Sequence, residues 1–315
     1  MTPPPRLQHA LVTGGAGFIG HHLAKALLER GLEVTVLDDL SMGRRESVPA
    51  AARFLKGDVR NPDDVDNALQ GVDCVFHEAA IVSIRASVEG FVRDAEVNLM
   101  GTLNLLERIA RSGVRKAVLA SSMAVYADSP TPAPLREDAL VQPISPYGVA
   151  KLAAERYWLL AGHHFGFDAS ALRYFNTYGP GQTPTPYVGV ITIFINGLLR
   201  GQAPSIFGDG DQRRDFTHVD DIVSANLAVL DHDCAGRIMN VGTGHATSVN
   251  EVARELVARL APDLTPKYLP AAQGEMRNAI ADASALRATT GWSPLYPKPN
   301  FDRLVEYWRE RVVGG

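Results

Sequence analysis

Tyr147 and Lys151 lie four residues apart in the stretch SPYGVAK, residues 145–151. On a helix that spacing puts a phenol and an ammonium on one face, close enough for the cation to act on the acid/base group. Such a pair could take a proton from a hydroxyl. With nine Tyr and six Lys in 315 residues, one Tyr-x-x-x-Lys arises by chance in about one such chain in six, so spacing alone assigns no role.

A second set of residues carries binding chemistry. LVTGGAGFIG, residues 11–20, places Gly14, Gly17 and Gly20 directly after a β-rich run. Glycine permits positive φ, and missing side chains let backbone amides approach a pyrophosphate at the start of the next helix. The G-x-x-G-x-x-G spacing is one residue wider than the usual dinucleotide fingerprint. Asp38 follows 18 residues after Gly20, at the end of the second β-rich run. A carboxylate there accepts from an adenosine ribose and repels a 2′-phosphate, which favours NAD over NADP. Asp39 adds to that charge, and Arg44 and Arg45 oppose it. Asp58, in KGDV, either faces the adenine or caps the following helix, and the residues leave both readings open.

These residues need a scaffold. ALVTG, EVTVLD, RFLKGD, CVFHEA and KAVLASS read as strands, and helical periodicity begins at Phe18, Pro62, Asp94 and Tyr147. The alternation predicts a Rossmann-type doubly wound parallel sheet of βαβ units, covered on both faces. After Arg173 the pattern loosens, with Gly and Pro clustered in YGPGQTPTPYVG and FGDGDQ. Helix-like stretches near Ile191, Asp220 and Ser248 are separated by loops. We therefore divide the chain into a dinucleotide-binding domain, 1–173, and a mainly substrate-binding, irregular α/β lobe, 174–315, from which the chain can return to the first domain.

Composition bounds the partners. The chain is 46% hydrophobic and 21% charged with a net charge of −4, which argues against nucleic acid and for small molecules. Cys74 and Cys234 show no metal-ligand spacing and form no disulfide framework, so no metal site is expected and a reducing compartment is. MTPPPRLQHALV lacks the apolar stretch of a signal peptide, and no 18-residue uncharged apolar run follows. A cytoplasmic protein without membrane contact is the expectation.

With strand, glycine turn, acidic residue and Tyr147-x-x-x-Lys151 in order, the chain resembles the extended short-chain dehydrogenase/reductase family, and within it the nucleotide-sugar 4-epimerases. The resemblance runs from Gln8 to Trp308. It is carried by TGGAGFIG, HEAA at 77–80, NLMGT at 98–102, SSMAVY at 121–126, SPYGVAK, RYFNTYGPGQ at 173–182 and RRDFTHVDD at 213–221. It implies NAD as cofactor, a nucleotide-diphosphate sugar such as a UDP-hexose as substrate, and a homodimer paired through helices near 98–112 and 147–164.

The resemblance also distributes roles. Ser122, Tyr147 and Lys151 become the catalytic set. Tyr147 removes the hydroxyl proton while hydride leaves the same carbon for NAD, Ser122 hydrogen-bonds the reacting oxygen, and Lys151 with the cationic nicotinamide ring favours the phenolate. Phe18, Ile19, Gly43 and Val59 fall along the cofactor path beside the glycines and Asp58. Ala79 and Ala80 match a segment where backbone passes close to the cofactor, and Tyr174 a position contacting nicotinamide. Asn98 ties strand ends together near the cofactor. Asn176 and Arg214 fall at sugar-nucleotide positions, a guanidinium fork suiting paired phosphate oxygens. His77 receives no functional role.

Two positions depart from the pattern. A second phosphate-binding arginine is replaced by Ala272 in PAAQGEMR, with Arg277 a candidate substitute. Ala279 is small where a residue beside the sugar is expected, leaving room for an N-acetyl group. The 4,6-dehydratases carry an acidic pair where this chain has Met123 and Ala124, and a decarboxylase would also need a carboxylate there. A keto-sugar reductase or dehydrogenase using the same Ser, Tyr and Lys stays open, as does a non-catalytic dinucleotide-binding regulator.

Overall fold

The computed structural model describes residues 7–82, 84–183, 189–271 and 276–312. The first half alternates strand and helix: β1 (His9–Thr13), α1 (Phe18–Glu29), β2 (Glu33–Asp38), β3 (Arg53–Lys56), α2 (Pro62–Ala68) and β4 (Cys74–His77). Next come α3 (Ile84–Glu89), α4 (Phe91–Ala95), a π-helical turn (Glu96–Gly101), α5 (Thr102–Ile109), β5 (Lys116–Ser122), α6 (Pro146–Phe165) and β6 (Asp168–Tyr174). Strands β1 to β5 coincide with the β-rich runs of the sequence. The helix expected from Asp94 is interrupted by the π turn.

The second half holds β7 (Asn176–Tyr178), α7 (Val190–Leu199), β8 (Ser205–Phe207), β9 (Arg213–His218), α8 (Val219–Asp231) and β10 (Ile238–Val241). It ends with β11 (Ala246–Ser248), α9 (Val249–Leu260), β12 (Lys267–Leu269), β13 (Asn278–Ala279), α10 (Ser284–Thr290) and α11 (Asp302–Val312). The expectation of helices separated only by loops is corrected here. Most of these strands have two to four residues, too few to show a period of two, and they are recognised by their partners: β9 pairs with β7, β11 and β13, and β12 with β8.

Seven parallel strands form the main sheet in the order β10-β6-β5-β4-β1-β2-β3. The order reverses between β1 and β4, which opens a crevice at their carboxyl ends. Strands buried on both faces must be apolar throughout, and Leu11, Val12, Val75, Phe76 and Leu119 are fully buried. One core layer packs α1 and α8 on the sheet; the other packs α2, α5 and α6. α8 and β10 thus join the first-half strands from beyond residue 218. No helix among the described residues is long and apolar enough to cross a membrane.

His77 belongs to this scaffold. Thr102 Oγ1 donates to the Asn98 carbonyl at 2.8 Å, so it accepts from His77 Nε2 at 2.9 Å, and Thr13 Oγ1 donates to Nδ1 at 2.7 Å. The ring stacks on Trp158 at 5.6 Å. Burial pushes its pKa down to about 3, with the Lys151 charge adding to the effect. Below pH 6.5 an unfolded chain takes a proton that folded His77 refuses, so stability present at neutral pH drains away as pH falls from 6.5 toward 3. Between pH 6.5 and 5 this one residue accounts for about 1.6 kcal/mol. Denaturant titrations at the two pH values on wild type and His77→Gln should show the steeper loss in wild type; parallel losses would exclude His77 as the cause.

Candidate active site

The end of β1 turns sharply into α1. Gly14 has φ +69°, and a Cβ there would lie 2.7 Å from Ala79 Cα, so the turn touches the backbone leaving β4. A Cβ on Gly20 would fall 2.2 Å from the Gly14 carbonyl oxygen. Gly17 caps α1 without a side chain, leaving first-turn N–H groups directed at the crevice. The Asp38 carboxylate closes the arrangement, accepting from Ala16 N at 2.9 Å and Leu40 N at 2.8 Å. Each oxygen keeps a lone pair for a further donor. Gly20→Ala should force α1 off the turn and weaken NAD binding at least tenfold, the size of a moderate overpacking penalty. Titration of the variant with NAD checks this, and unchanged affinity would show that α1 yields without consequence.

The crevice opens into a cavity of about 970 Å³. Gly14, Gly17, Phe18, Ile19, Gly20, Asp38, Asp39, Gly43, Asp58 and Val59 line one end, and Ala79, Ala80 and Tyr174 the middle. Ser122, Tyr147, Lys151, Asn176 and Arg214 line the rest. Asp58 does not cap α2; Asn61 does, accepting from Asp63 N at 3.1 Å. Asp58 instead holds Arg60 in a two-pronged ion pair, with the closest contact 2.5 Å. Asn98 is not among the lining residues. Its buried amide accepts from Ile81 N at 2.9 Å and donates to Ile81 O at 3.1 Å, so it acts on the cavity wall from behind.

Helix α6 positions the Tyr–Lys pair. Ser145 caps it by accepting from Gly148 N at 3.1 Å, Pro146 opens it, and Gly166 ends it at φ +77°. Tyr147 thus stands in the first turn and Lys151 one turn further, both buried on the sheet side. Ser122, at the end of β5, accepts from Ala124 N at 3.2 Å and is hydrogen-bonded to the Tyr147 phenol. Lys151 Nζ donates to the Ala120 carbonyl at 2.9 Å and lies 6.0 Å from the Tyr147 ring centroid.

Burial sets the electrostatics of this pair. Burial pushes the phenol up to about 12, the Ser122 hydrogen bond opposes this, and the Asp94 and Glu78 charges add to it. Burial likewise pulls Lys151 down to about 8 against Glu78, Asp94 and Glu155. Desolvation outweighs the Ser122 hydrogen bond, so the protein alone keeps the phenol neutral.

Several site features were not legible in the sequence. Glu78 lines the cavity and accepts from the Tyr174 hydroxyl at 2.8 Å. Asn176 presents a buried Oδ1 with no partner among the described residues, an acceptor poised for a ligand. Arg214 reaches the cavity and donates to the Arg213 and Arg277 carbonyls. Arg277 is held by Asp209 at 2.7 and 2.9 Å, which accounts for its charge. Ala272 lies outside the described residues. Ala279 is fully buried opposite Arg214 in the β9–β13 pair, in a cluster with Phe175 and Met276, which line the cavity.

A doubly wound sheet with a glycine turn and a Ser–Tyr–Lys set, its Tyr and Lys buried, at one crevice defines a dinucleotide-dependent enzyme of the short-chain dehydrogenase/reductase type. The chain belongs to the NAD dependent epimerase/dehydratase family, whose profile matches residues 10–242. It is 36% identical over 308 residues to the UDP-glucose 4-epimerase of Mycolicibacterium smegmatis, covering 96% of this chain and 98% of that one. Two solved structures are similar to it at 36% identity. The UDP-glucose 4-epimerase of Thermotoga maritima, with UDP-glucose, superposes with a TM-score of 0.93 over 97% of this chain and all of that one. That of Thermus thermophilus, in complex with NAD, gives 0.89 over 96% and 99%.

Proposed function

We propose that this chain interconverts UDP-sugars at C4 using NAD, through a transient 4-keto sugar. The observation that carries the reading is the hydrogen-bonded Ser122–Tyr147 pair with Lys151 behind it, opening on the same cavity as the glycine turn. The residues fit the cofactor: Gly14 and Gly20 leave the space a Cβ would fill, α1 offers free N–H groups, and Asp38 keeps acceptor capacity. NAD supplies a hydride acceptor that returns what it takes. Tyr147 removes the sugar hydroxyl proton and gives it back, Ser122 holds the reacting oxygen, and Lys151 stabilises charge as it develops on the phenol. Asn176 and Arg214 bind the sugar nucleotide, and Tyr174, Ala79 and Ala80 flank the cofactor. Asp38, Asp39, Gly43, Asp58, Val59, Phe18 and Ile19 enclose its adenosine end.

Incubation with catalytic NAD and a panel of UDP-hexoses, followed by proton NMR, should show the C4 epimer without net NADH. Stoichiometric consumption of NADH on a keto sugar would replace this reading with a reductase.

We also propose a cytoplasmic homodimer. Val88, Phe91, Val92, Met100, Val149, Tyr157 and Leu160 are exposed on α3, α4, the π turn and α6, which pack against one another. Apolar faces of this kind are covered by a second copy in stable dimers. Sedimentation should give twice the chain mass for wild type and one chain mass for Val149→Asp/Leu160→Asp; a monomeric wild type would overturn the assignment.

A further inference from the structure

Glu78 stands just beyond the end of β4, beside Ala79 and Ala80, and its side chain faces the cavity. Three elements converge on it. Asn226 on α8 donates Nδ2 to the Tyr174 oxygen at 2.7 Å and to the Ile222 carbonyl at 2.9 Å. Tyr174 on β6 then donates to Glu78 Oε1 at 2.8 Å. A hydroxyl whose oxygen already accepts from an amide can only pass its proton onward, so the chain is polarised to support negative charge on Glu78.

The local charge balance is what makes this carboxyl unusual. Lys151 is the ammonium at this end of the cavity, and Glu78, Asp94 and Glu155 all act on it. Glu155 is matched by Arg173, with two contacts of 2.8 Å. Glu78 and Asp94 are thus left to face Lys151, with Arg93 also lining the cavity. A buried carboxylate is unfavourable unless a cation meets it. Burial raises the Glu78 carboxyl to about 7 even though the Tyr174 hydrogen bond and the Lys151 charge pull it down. The titratable groups facing it are Tyr174 on β6 and Lys151 and Tyr147 on α6.

Hydride exchange requires the nicotinamide ring to lie within van der Waals reach of the carbon whose oxygen Ser122 and Tyr147 hold. That ring carries one positive charge when oxidised and none when reduced. We propose that Glu78 biases the bound cofactor toward its oxidised form, by placing a carboxylate opposite the charge that is lost on reduction. A carboxyl serving only to anchor Tyr174 would treat both forms alike.

The inference rests on NAD binding and not on the identity of the sugar, so it is tested without sugar and stands or falls separately from the epimerase reading. The midpoint potential of protein-bound cofactor, and the dissociation constants of NAD and NADH, are measured on wild type, Glu78→Gln and Glu78→Asp. Glu78→Gln should raise the ratio of the NAD to the NADH dissociation constant about tenfold, which is about 30 mV upward in potential for a two-electron couple. Glu78→Asp keeps the charge and should recover part of the shift. Tyr174→Phe, which withdraws the donor from the carboxylate, should move the ratio in the same direction by a smaller factor, and it serves if Glu78→Gln fails to fold. Equal changes in both dissociation constants, or none, would reduce Glu78 to a structural anchor and overturn the proposal.

Discussion

Tyr147→Phe is expected to lower kcat about a thousandfold while leaving NAD content and melting temperature near wild type. The ring is buried, and phenylalanine preserves its packing. What is lost is the hydroxyl, a proton carrier hydrogen-bonded to Ser122 at the cavity. Ser122 keeps its contact with Ala124 N, so the end of β5 stays in place. Burial holds the phenol near 12 in the protein alone, so a large part of the barrier lies in forming the phenolate, and phenylalanine cannot form it at all. Rates come from NMR of the sugar protons, and cofactor occupancy from absorbance after denaturation. A variant that retains a tenth of wild-type turnover would remove Tyr147 from the proposed mechanism.

Glu155→Ala is expected to destabilise the protein by about 3–5 kcal/mol, because it strands a buried guanidinium. Arg173 is 1% exposed and Glu155 fully buried, and their fork is bidentate. Ser121 Oγ adds a 2.5 Å hydrogen bond to Glu155, and the guanidinium stacks 4.7 Å over Tyr126. The double replacement Glu155→Leu/Arg173→Met should lose far less, since it removes both charges together. Equilibrium denaturation of the three proteins decides it: if single and double variants lose equal stability, packing rather than charge holds this joint. The pair ties α6 to β6 and, through Ser121, to β5. The elements bearing Tyr147 and Ser122 are therefore registered by an ion pair that touches no ligand.

How much of this was readable beforehand depends on the range of each interaction. The glycine turn, Asp38 and the first five strands rest on local conformation and short periodicity, which neighbouring residues determine. Glu78 could not be found that way. HEAA suggests close backbone approach, but the partners that give its carboxyl meaning, Tyr174 and Asn226, arrive from β6 and α8. The surroundings of Ala279 were hidden for the complementary reason: a two-residue strand has no period, and only its pairing with β9 and its packing place it in the core. Asn98 sits in a π turn, which no local pattern of residues announces, and its bonds to Ile81 come from a distant segment.

The seventh strand of the main sheet has a consequence for how the protein is made. β6 can be paired with β5 once residue 174 has left the ribosome, but its other edge stays open until β10 is synthesised about 70 residues later. At 5–20 residues per second that interval is about 4–14 seconds. Throughout it the nascent chain presents the run Ala169–Tyr174, apolar at most positions, as a bare strand edge, a template for pairing with any extended segment nearby. Synthesis is therefore a stage at which this protein is open to aggregation, and slowing translation between residues 174 and 241 would lengthen that exposure.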